Sequence, residues 1–252
     1  MRYSIAAALV VIIALCTTGV FASQPLGGPS LADPGKWAVS AGYFYSKDKW
    51  DSNTFDQEFK IETNTYYAQF SYGLAPGWDM YLRAGAADVN GEGDLDLKSD
   101  AEFFGGIGLH GRFYNNEKYH LSLGPVANFS YYSDWEDSGS GTVNIGGATL
   151  SGNGSLKMRD HYSFDVGFGF RWAPAAWVSF YGGPFYHYET ANMKLEVNTN
   201  RGSFSDDSNA DVKRSFGGRL GISLPISKNV GFQLEGQFRD YFSGGAQISF
   251  MF

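Results

Sequence analysis

Cysteine is nearly absent from the 252-residue chain, whose single cysteine is Cys16 near the N-terminus. The surrounding stretch begins with Arg2, continues as an apolar run over residues 5–15, and ends at Ala22 with small side chains where signal peptidase inspects the chain. This pattern is typical of a secretory signal peptide. We predict a signal peptide over residues 1–22, so the mature chain has no disulfide and no thiol chemistry.

Two other interpretations of this stretch have less support. A membrane-anchoring helix needs about 20 apolar residues, and the apolar run is shorter than that. A lipoprotein attachment site at Cys16 is disfavoured by Leu15 immediately before it. Cleavage after Ala22 therefore stays the prediction.

The chain also lacks an excess of basic residues and any further long apolar run. Lysine and arginine number 19 against 26 aspartates and glutamates, which gives a net charge of -7. Arg2 is the one charged residue before Ala22, so the mature chain carries -8. An acidic exported chain gives no support to nucleic-acid binding. After the signal peptide no segment is long enough for a membrane helix, and none reads as an amphipathic helix.

What the chain has in abundance is aromatic residues, at 17%, and glycine, with 33 residues. Its last eleven residues, 242–252, alternate with the period of a β-strand. The apolar and small residues of one face are Phe242, Gly244, Ala246, Ile248, Phe250 and Phe252. In this respect the chain resembles bacterial outer-membrane β-barrel proteins, whose final strand alternates in this way and ends on Phe.

The resemblance implies an all-β, antiparallel, up-and-down barrel that spans the outer membrane. The final strand should pair with the first, because an open sheet edge is not stable in hydrocarbon. It also implies that Phe242, Ile248, Phe250 and Phe252 form the signal for the barrel assembly machinery, and that outer-membrane lipid and lipopolysaccharide surround the barrel. A soluble β-sandwich is the alternative, but it buries its apolar face and needs no aromatic belts.

Alternation along the chain predicts ten strands, with eight or twelve as alternatives. Residues 23–36 contain three prolines and read as a flexible periplasmic leader, so the barrel domain covers residues 37–252. The expected strands lie at about 37–46, 66–73, 78–86, 103–113, 119–131, 162–172, 177–189, 216–224, 230–238 and 242–252. An even number is what single-chain bacterial barrels have.

The connections indicate the orientation of the barrel. They are short after the second, fourth, sixth and eighth predicted strands. The connections after the first, third, fifth and seventh are long polar segments, at residues 47–58, 88–100, 134–157 and 190–213. Short turns are periplasmic and long loops extracellular in barrels of this kind. Interfacial aromatic girdles are expected at the two ends, with Trp78, Trp172 and Trp177 at one and Tyr43, Tyr131, Tyr162 and Tyr188 at the other.

Four charged residues of the inward faces lie near the middle of their strands, and their charges sum to zero: Arg83, Asp165, Arg219 and Glu235. A balanced network of this kind indicates a lumen closed by paired ions, as in small barrels that resemble outer membrane protein A. Arg219 should lie about opposite Glu235 across the turn at residues 227–229. Inward glycines such as Gly108 and Gly221 leave volume for an aqueous pore, but ten strands is close to the side-chain-filled size.

Two short motifs point to chemistry without completing a site. His161, Ser163 and Asp165 share one strand face and resemble the His-x-Ser pair of outer-membrane lipid A deacylases and phospholipases, but Phe164 replaces the Asn of the deacylase motif. A triad also needs its His between the other two groups, and omptin-type proteases need a rim His that the fourth loop lacks. Residues 88–99 resemble a calcium loop, but Ser99 stands where the motif has Glu, so an acidic solvated loop is the better interpretation.

The sequence therefore predicts a non-enzymatic outer-membrane barrel with no catalytic residues, cofactor or metal. It would serve as a structural or surface-interaction protein with a closed or very narrow lumen, and its extracellular loops would meet partners that the sequence does not identify. A narrow porin-like channel for small solutes is the alternative. A lipid-modifying enzyme is a weaker one.

Overall fold

Extended backbone dominates the computed structural model, which describes residues 25–28, 33–52, 58–92, 97–98, 101–145, 148–199, 202–212, 215–239 and 241–252. Every regular element within these ranges is a β-strand. The described part of the chain contains no helix with the length and apolar character that crossing a membrane would require. The predicted signal peptide over residues 1–22 lies outside the described residues.

The strands are numbered in chain order. They are β1 Trp37–Ser52, β2 Glu58–Ala75, β3 Trp78–Glu92, β4 Leu97–Lys98, β5 Glu102–Gly111, β6 Tyr114–Asn116, β7 Leu121–Tyr132, β8 Trp135–Ile145, β9 Ala148–Ala175, β10 Val178–Thr199, β11 Gly202–Val212, β12 Ser215–Pro225, β13 Val230–Phe238 and β14 Phe242–Met251.

Ten of these strands form a closed antiparallel barrel in the order β1, β2, β3, β5, β7, β9, β10, β12, β13, β14. The barrel closes where β14 pairs with β1, from Ala38 opposite Met251 to Tyr45 opposite Gly244. Closure satisfies the backbone groups that a free edge would leave unpaired in lipid. The predicted count of ten and the pairing of the last strand with the first are both confirmed.

The period of two along each strand sends apolar side chains outward. Leu82, Phe103 and Leu220 expose 53%, 62% and 69% of their surfaces, respectively. Such a face is unfavourable in water and is what the hydrocarbon of a bilayer requires. The barrel therefore spans a lipid membrane, and the soluble β-sandwich alternative is wrong.

Most of the long segments predicted as loops are paired strand instead. Residues 47–52 continue β1, β8 pairs with β9 from Trp135 to Ile145, and β10 pairs with β11 from Thr190 to Thr199. Gly, Ser, Asn and Asp in these segments suggest loops, but each hairpin extends a ladder that already begins in the membrane. The acidic segment over residues 88–100 is described only in part, and Asp88 accepts hydrogen bonds from the backbone and side-chain amide of Asn64.

These extensions enclose an apolar cluster, which the sequence analysis did not expect. Its buried members are Trp50, Ile61, Val89, Trp135, Met158, Ala191, Met193 and Ala210. Trp135 also donates its indole N–H to the sulfur of Met158 at 3.1 Å. The upper cluster, as we call these eight residues, lies at the end of the barrel that carries the long hairpins.

Candidate functional site

The lumen at the opposite end, where the turns are short, is occupied by residues 25–28 of the chain itself. Pro25, Leu26 and Gly28 are buried, and Leu26 exposes 1% of its surface. Leu26 packs in one cluster with Val126 and Phe185, which point into the barrel. A flexible periplasmic leader is therefore the wrong description of residues 25–28, because burial of Leu26 and the contacts below hold them inside. We call these four residues the plug.

Glu235 on β13 binds the plug through two consecutive backbone amides. The amide of Leu26 donates to Glu235 Oε1 at 2.8 Å, and the amide of Gly27 donates to Oε2 at 2.8 Å. Gln237 Nε2 donates a third hydrogen bond to Oε1 at 2.7 Å. Burial of a carboxylate is costly unless hydrogen bonds replace its water, and these three donors provide that replacement.

Side chains on three other strands bind the plug carbonyls. Arg83 Nη2 donates to the carbonyl of Pro25 at 3.0 Å, and His110 Nε2 donates to that of Leu26 at 2.6 Å. Arg219 Nη1 donates to the carbonyl of Gly27. Every backbone polar group from the carbonyl of Pro25 to that of Gly27 thus has a partner on the barrel wall.

Two of these wall residues, Arg83 and His110, are themselves held in place. Arg83 also contacts Gln69 Oε1 at 2.7 Å, and its guanidinium lies 4.6 Å and 4.9 Å from the ring centres of Tyr67 and Tyr81. His110 Nδ1 lies 2.8 Å from Asp79 Oδ1. Fixed rotamers reduce the entropy lost on binding, so the wall is preorganised for the plug.

The predicted network of four lumen charges is only partly assembled. Arg83, Arg219 and Glu235 meet at the plug, whereas Asp165 lies in a different cluster. Arg219 is opposite Gln237, and Glu235 is opposite Gly221. The turn lies where it was predicted, centred on Lys228 with Pro225 opposite Gly231, but counting outward from it leads from Arg219 to Gln237, two residues beyond the predicted Glu235. Arg219 and Glu235 share a face but are joined through the plug, not by a direct ion pair.

Asp165 belongs to a chain of acids and imidazoles above the plug. His187 lies between Asp165 Oδ1 at 2.6 Å and Glu189 Oε2 at 3.1 Å, and His161 Nε2 lies 2.6 Å from Glu189 Oε1. Tyr132 stacks on His161 with ring centres 4.2 Å apart. The two carboxylates and the two imidazoles are all buried. Hydrogen-bonded side chains therefore fill the middle of the lumen.

This arrangement bears on the enzyme-like motif. His161, Ser163 and Asp165 do share the inward face and are buried. However, His161 contacts Glu189 and Asp165 contacts His187, both on β10. Nucleophilic catalysis needs a His that contacts both a Ser and an acid. The contacts of His161 and His187 join each of them to acids and not to Ser163. Within the described ranges, no group of three or more His, Cys, Asp or Glu side chains is arranged to hold a metal ion.

Inward glycines receive aromatic rings instead of opening an aqueous pore. A Cβ atom at Gly108 would overlap the ring of Tyr81, and one at Gly221 would overlap the ring of Tyr181. Tyr81 and Tyr181 therefore fill the volume that Gly108 and Gly221 would leave for an aqueous pore. A cavity of about 20 Å³ remains beside the plug, enough for about one water molecule.

The predicted girdle residues lie on the outer surface. Trp172, Trp177, Tyr43 and Tyr131 are exposed, while Trp78, Tyr162 and Tyr188 are half-buried. On β14 and just beyond it, Phe242, Ile248, Phe250 and Phe252 also face outward and are exposed. Their roles as an interfacial girdle and as an assembly signal stay predictions.

Similarity to known structures agrees with this geometry. The chain superimposes on the outer membrane protease OmpT from Escherichia coli with a TM-score of 0.54 and 10% identity, covering 88% of this chain and 99% of OmpT. The fold is that of an outer-membrane β-barrel. At this identity the likeness extends to the fold alone.

Two further barrels superimpose less closely. The translocator domain of the autotransporter NalP from Neisseria meningitidis gives a TM-score of 0.48 and 11% identity, over 87% of this chain and 89% of that domain. An outer membrane channel from Pseudomonas putida F1 gives 0.47 and 12%, over 92% and 100%. No protein-family model matches the chain. No curated protein sequence matches it significantly.

Sequence reasoning missed the plug and the role of His110. Pro25 to Gly28 carry no strand period, and Leu26 is 209 positions away from Glu235. His110 stands on an inward face of a predicted strand, but nothing in the sequence pairs it with the leader.

Proposed function

We propose that this outer-membrane barrel is a non-conducting, non-enzymatic scaffold whose extracellular hairpins meet partners at the cell surface. The observation that carries the proposal is the filled lumen. The plug lies near the short turns, the chain of acids and imidazoles lies above it, and the upper cluster lies at the far end. We expect a ten-stranded barrel filled in this way to have no continuous water path.

The hairpins β8–β9 and β10–β11 have the size and surface for interaction. From Tyr162 to Ala148, β9 continues beyond the girdle for about 45 Å along the strand. The exposed ion pairs Lys157–Glu136, at 3.0 Å, and Lys194–Glu196, at 2.6 Å, lie on these extensions. Such pairs contribute little to stability. The residues on this surface can therefore be replaced to suit a binding partner without a large loss of stability.

The first test is conductance. The purified protein in planar bilayers is expected to give no stable single-channel steps, under conditions where a water-filled porin gives them. Stable steps from the unmodified protein would overturn the closed lumen and favour the narrow porin-like channel. Protease protection of the protein reconstituted into vesicles of the same lipid verifies that the barrel inserts.

A second test concerns orientation and exposure of the hairpins. Since the mature chain is predicted to lack cysteine, the labelling of a single introduced cysteine can be measured without background. On intact cells, Asn153→Cys in the β9 extension is expected to react with a membrane-impermeant maleimide, because Asn153 is exposed. Ser130→Cys, which is buried in the lumen, and Lys228→Cys in a short turn should not react. Labelling at position 228 without labelling at 153 would reverse the orientation and remove the proposed partner surface.

A further inference from the structure

The wall around the plug recognises peptide backbone more than a particular sequence. Five consecutive backbone groups, from the carbonyl of Pro25 to that of Gly27, are bound by Arg83, Glu235, His110 and Arg219. The side chain of Leu26 enters an apolar socket formed with Val126 and Phe185. Backbone hydrogen bonds combined with a side-chain pocket are the general means by which proteins bind extended peptides.

Arg219 has donor capacity that the plug does not use. It exposes 2% of its surface, and its Nη1 atom donates to Gly27. Its Nε and Nη2 atoms are buried and have no hydrogen-bond partner. Guanidinium groups bind carboxylates through two parallel hydrogen bonds. A second oxygen on the carbon of Gly27, as in a C-terminal carboxylate, would give Arg219 a further acceptor.

We propose that the lumen near the short turns is a peptide-binding site. Its ligand class is a short peptide with an apolar side chain that ends in a carboxylate at the position of Gly27, where the φ angle of the plug is 69°. The plug occupies this site as an intramolecular ligand, and it lacks the terminal carboxylate. The assignment goes beyond the scaffold role, because it gives the lumen a ligand of its own.

The experiment begins by checking that the plug occupies the site in solution. An ideal Cβ atom at Gly28 lies 3.1 Å from Cβ of Tyr181, close to the separation of about 3.8 Å found across disulfides. The double variant Gly28→Cys with Tyr181→Cys should therefore cross-link on mild oxidation. Adding Leu26→Asp should abolish the cross-link, because a carboxylate is unfavourable between Val126 and Phe185. The matched control Pro34→Asp, at an exposed leader position, should leave the cross-link intact.

The Leu26→Asp protein is then titrated with the tetrapeptide Gln-Pro-Leu-Gly carrying an N-terminal fluorophore. Fluorescence anisotropy is expected to show saturable binding to Leu26→Asp and none to Pro34→Asp, whose site is filled. The peptide with a free carboxylate should bind about tenfold more tightly than its carboxamide, since charge-assisted hydrogen bonds are the stronger ones. A peptide with Asp in place of Leu should not bind.

Three outcomes would overturn the proposal. Failure of folded Leu26→Asp to bind the peptide would remove the binding site, and equal binding to both variants would mark the binding as adventitious. Equal affinity for the carboxylate and the carboxamide would remove Arg219 as the carboxylate anchor. Folding of each variant is verified by its heat-dependent gel mobility. Conductance tests the scaffold proposal separately, so that proposal can fail or stand whatever the result of the peptide-binding experiment.

Discussion

Replacing Glu235 by leucine is expected to lower the free energy of unfolding by about 3 to 5 kcal/mol, because three buried N–H donors lose their acceptor and each such loss costs about 1 to 3 kcal/mol. The variant leaves the amides of Leu26 and Gly27 and the side chain of Gln237 without their acceptor. The measurement is the urea midpoint in detergent micelles, followed by gel mobility. Glu117→Leu, at an exposed turn position, should change stability by no more than about 0.5 kcal/mol.

The same variant tests whether Glu235 acts through the plug. Once Leu26→Asp has released the plug, Glu235→Leu should cost less than it does in the unmodified chain, because neighbouring groups that share an interaction are not additive. Arg219→Met should cost less than Glu235→Leu, since Arg219 makes one described hydrogen bond to the plug. Additive effects of Leu26→Asp and Glu235→Leu would show that Glu235 stabilises the barrel wall and not the plug.

The second large effect is expected at Gly221. Gly221→Ala places a Cβ atom against the ring of Tyr181, and overpacking of this kind typically costs about 1 to 3 kcal/mol. Gly218→Ala on the same strand is the matched control, because its Cβ would meet no atom within 4 Å. Both are measured by the urea midpoint in detergent. Equal effects at 218 and 221 would mean that Tyr181 does not fill the lumen in solution.

Alternation in the sequence was sufficient for the ten barrel strands and their faces, but not for the hairpin extensions. Arg83, Asp165, Arg219 and Glu235 all point inward, as predicted, because the period of a strand is two and one face had to meet lipid. The predicted register was off by two residues. The turn at residues 227–229 is centred on Lys228, which pairs Arg219 with Gln237 instead of the predicted Glu235.

The contents of the lumen could not be predicted from local pattern. Pro25 to Gly28 resemble any proline- and glycine-containing linker, and what orders them is a set of partners on β3, β5, β12 and β13. The hairpins are a similar case. Met193 and Ala210 stand in polar segments, yet they pack in the upper cluster with Trp50 and Trp135.

The burial of the plug in the lumen has a consequence for the order in which the protein is processed and folded. Trp37 and Phe252 exchange backbone hydrogen bonds at the rim, and Gly35 donates to Gly73 there at 2.8 Å. Gly35 and Trp37 are thus held at the mouth with the short turns, while Leu26 lies buried in the lumen. With cleavage after Ala22, two residues precede Pro25. A chain spans at most about 3.6 Å per residue, so these two residues cannot bridge the gap between a signal peptide held in the inner membrane and a plug docked in the outer membrane. We therefore expect cleavage of the predicted signal peptide to come before docking, which would link completion of the barrel interior to the cleavage of one peptide bond.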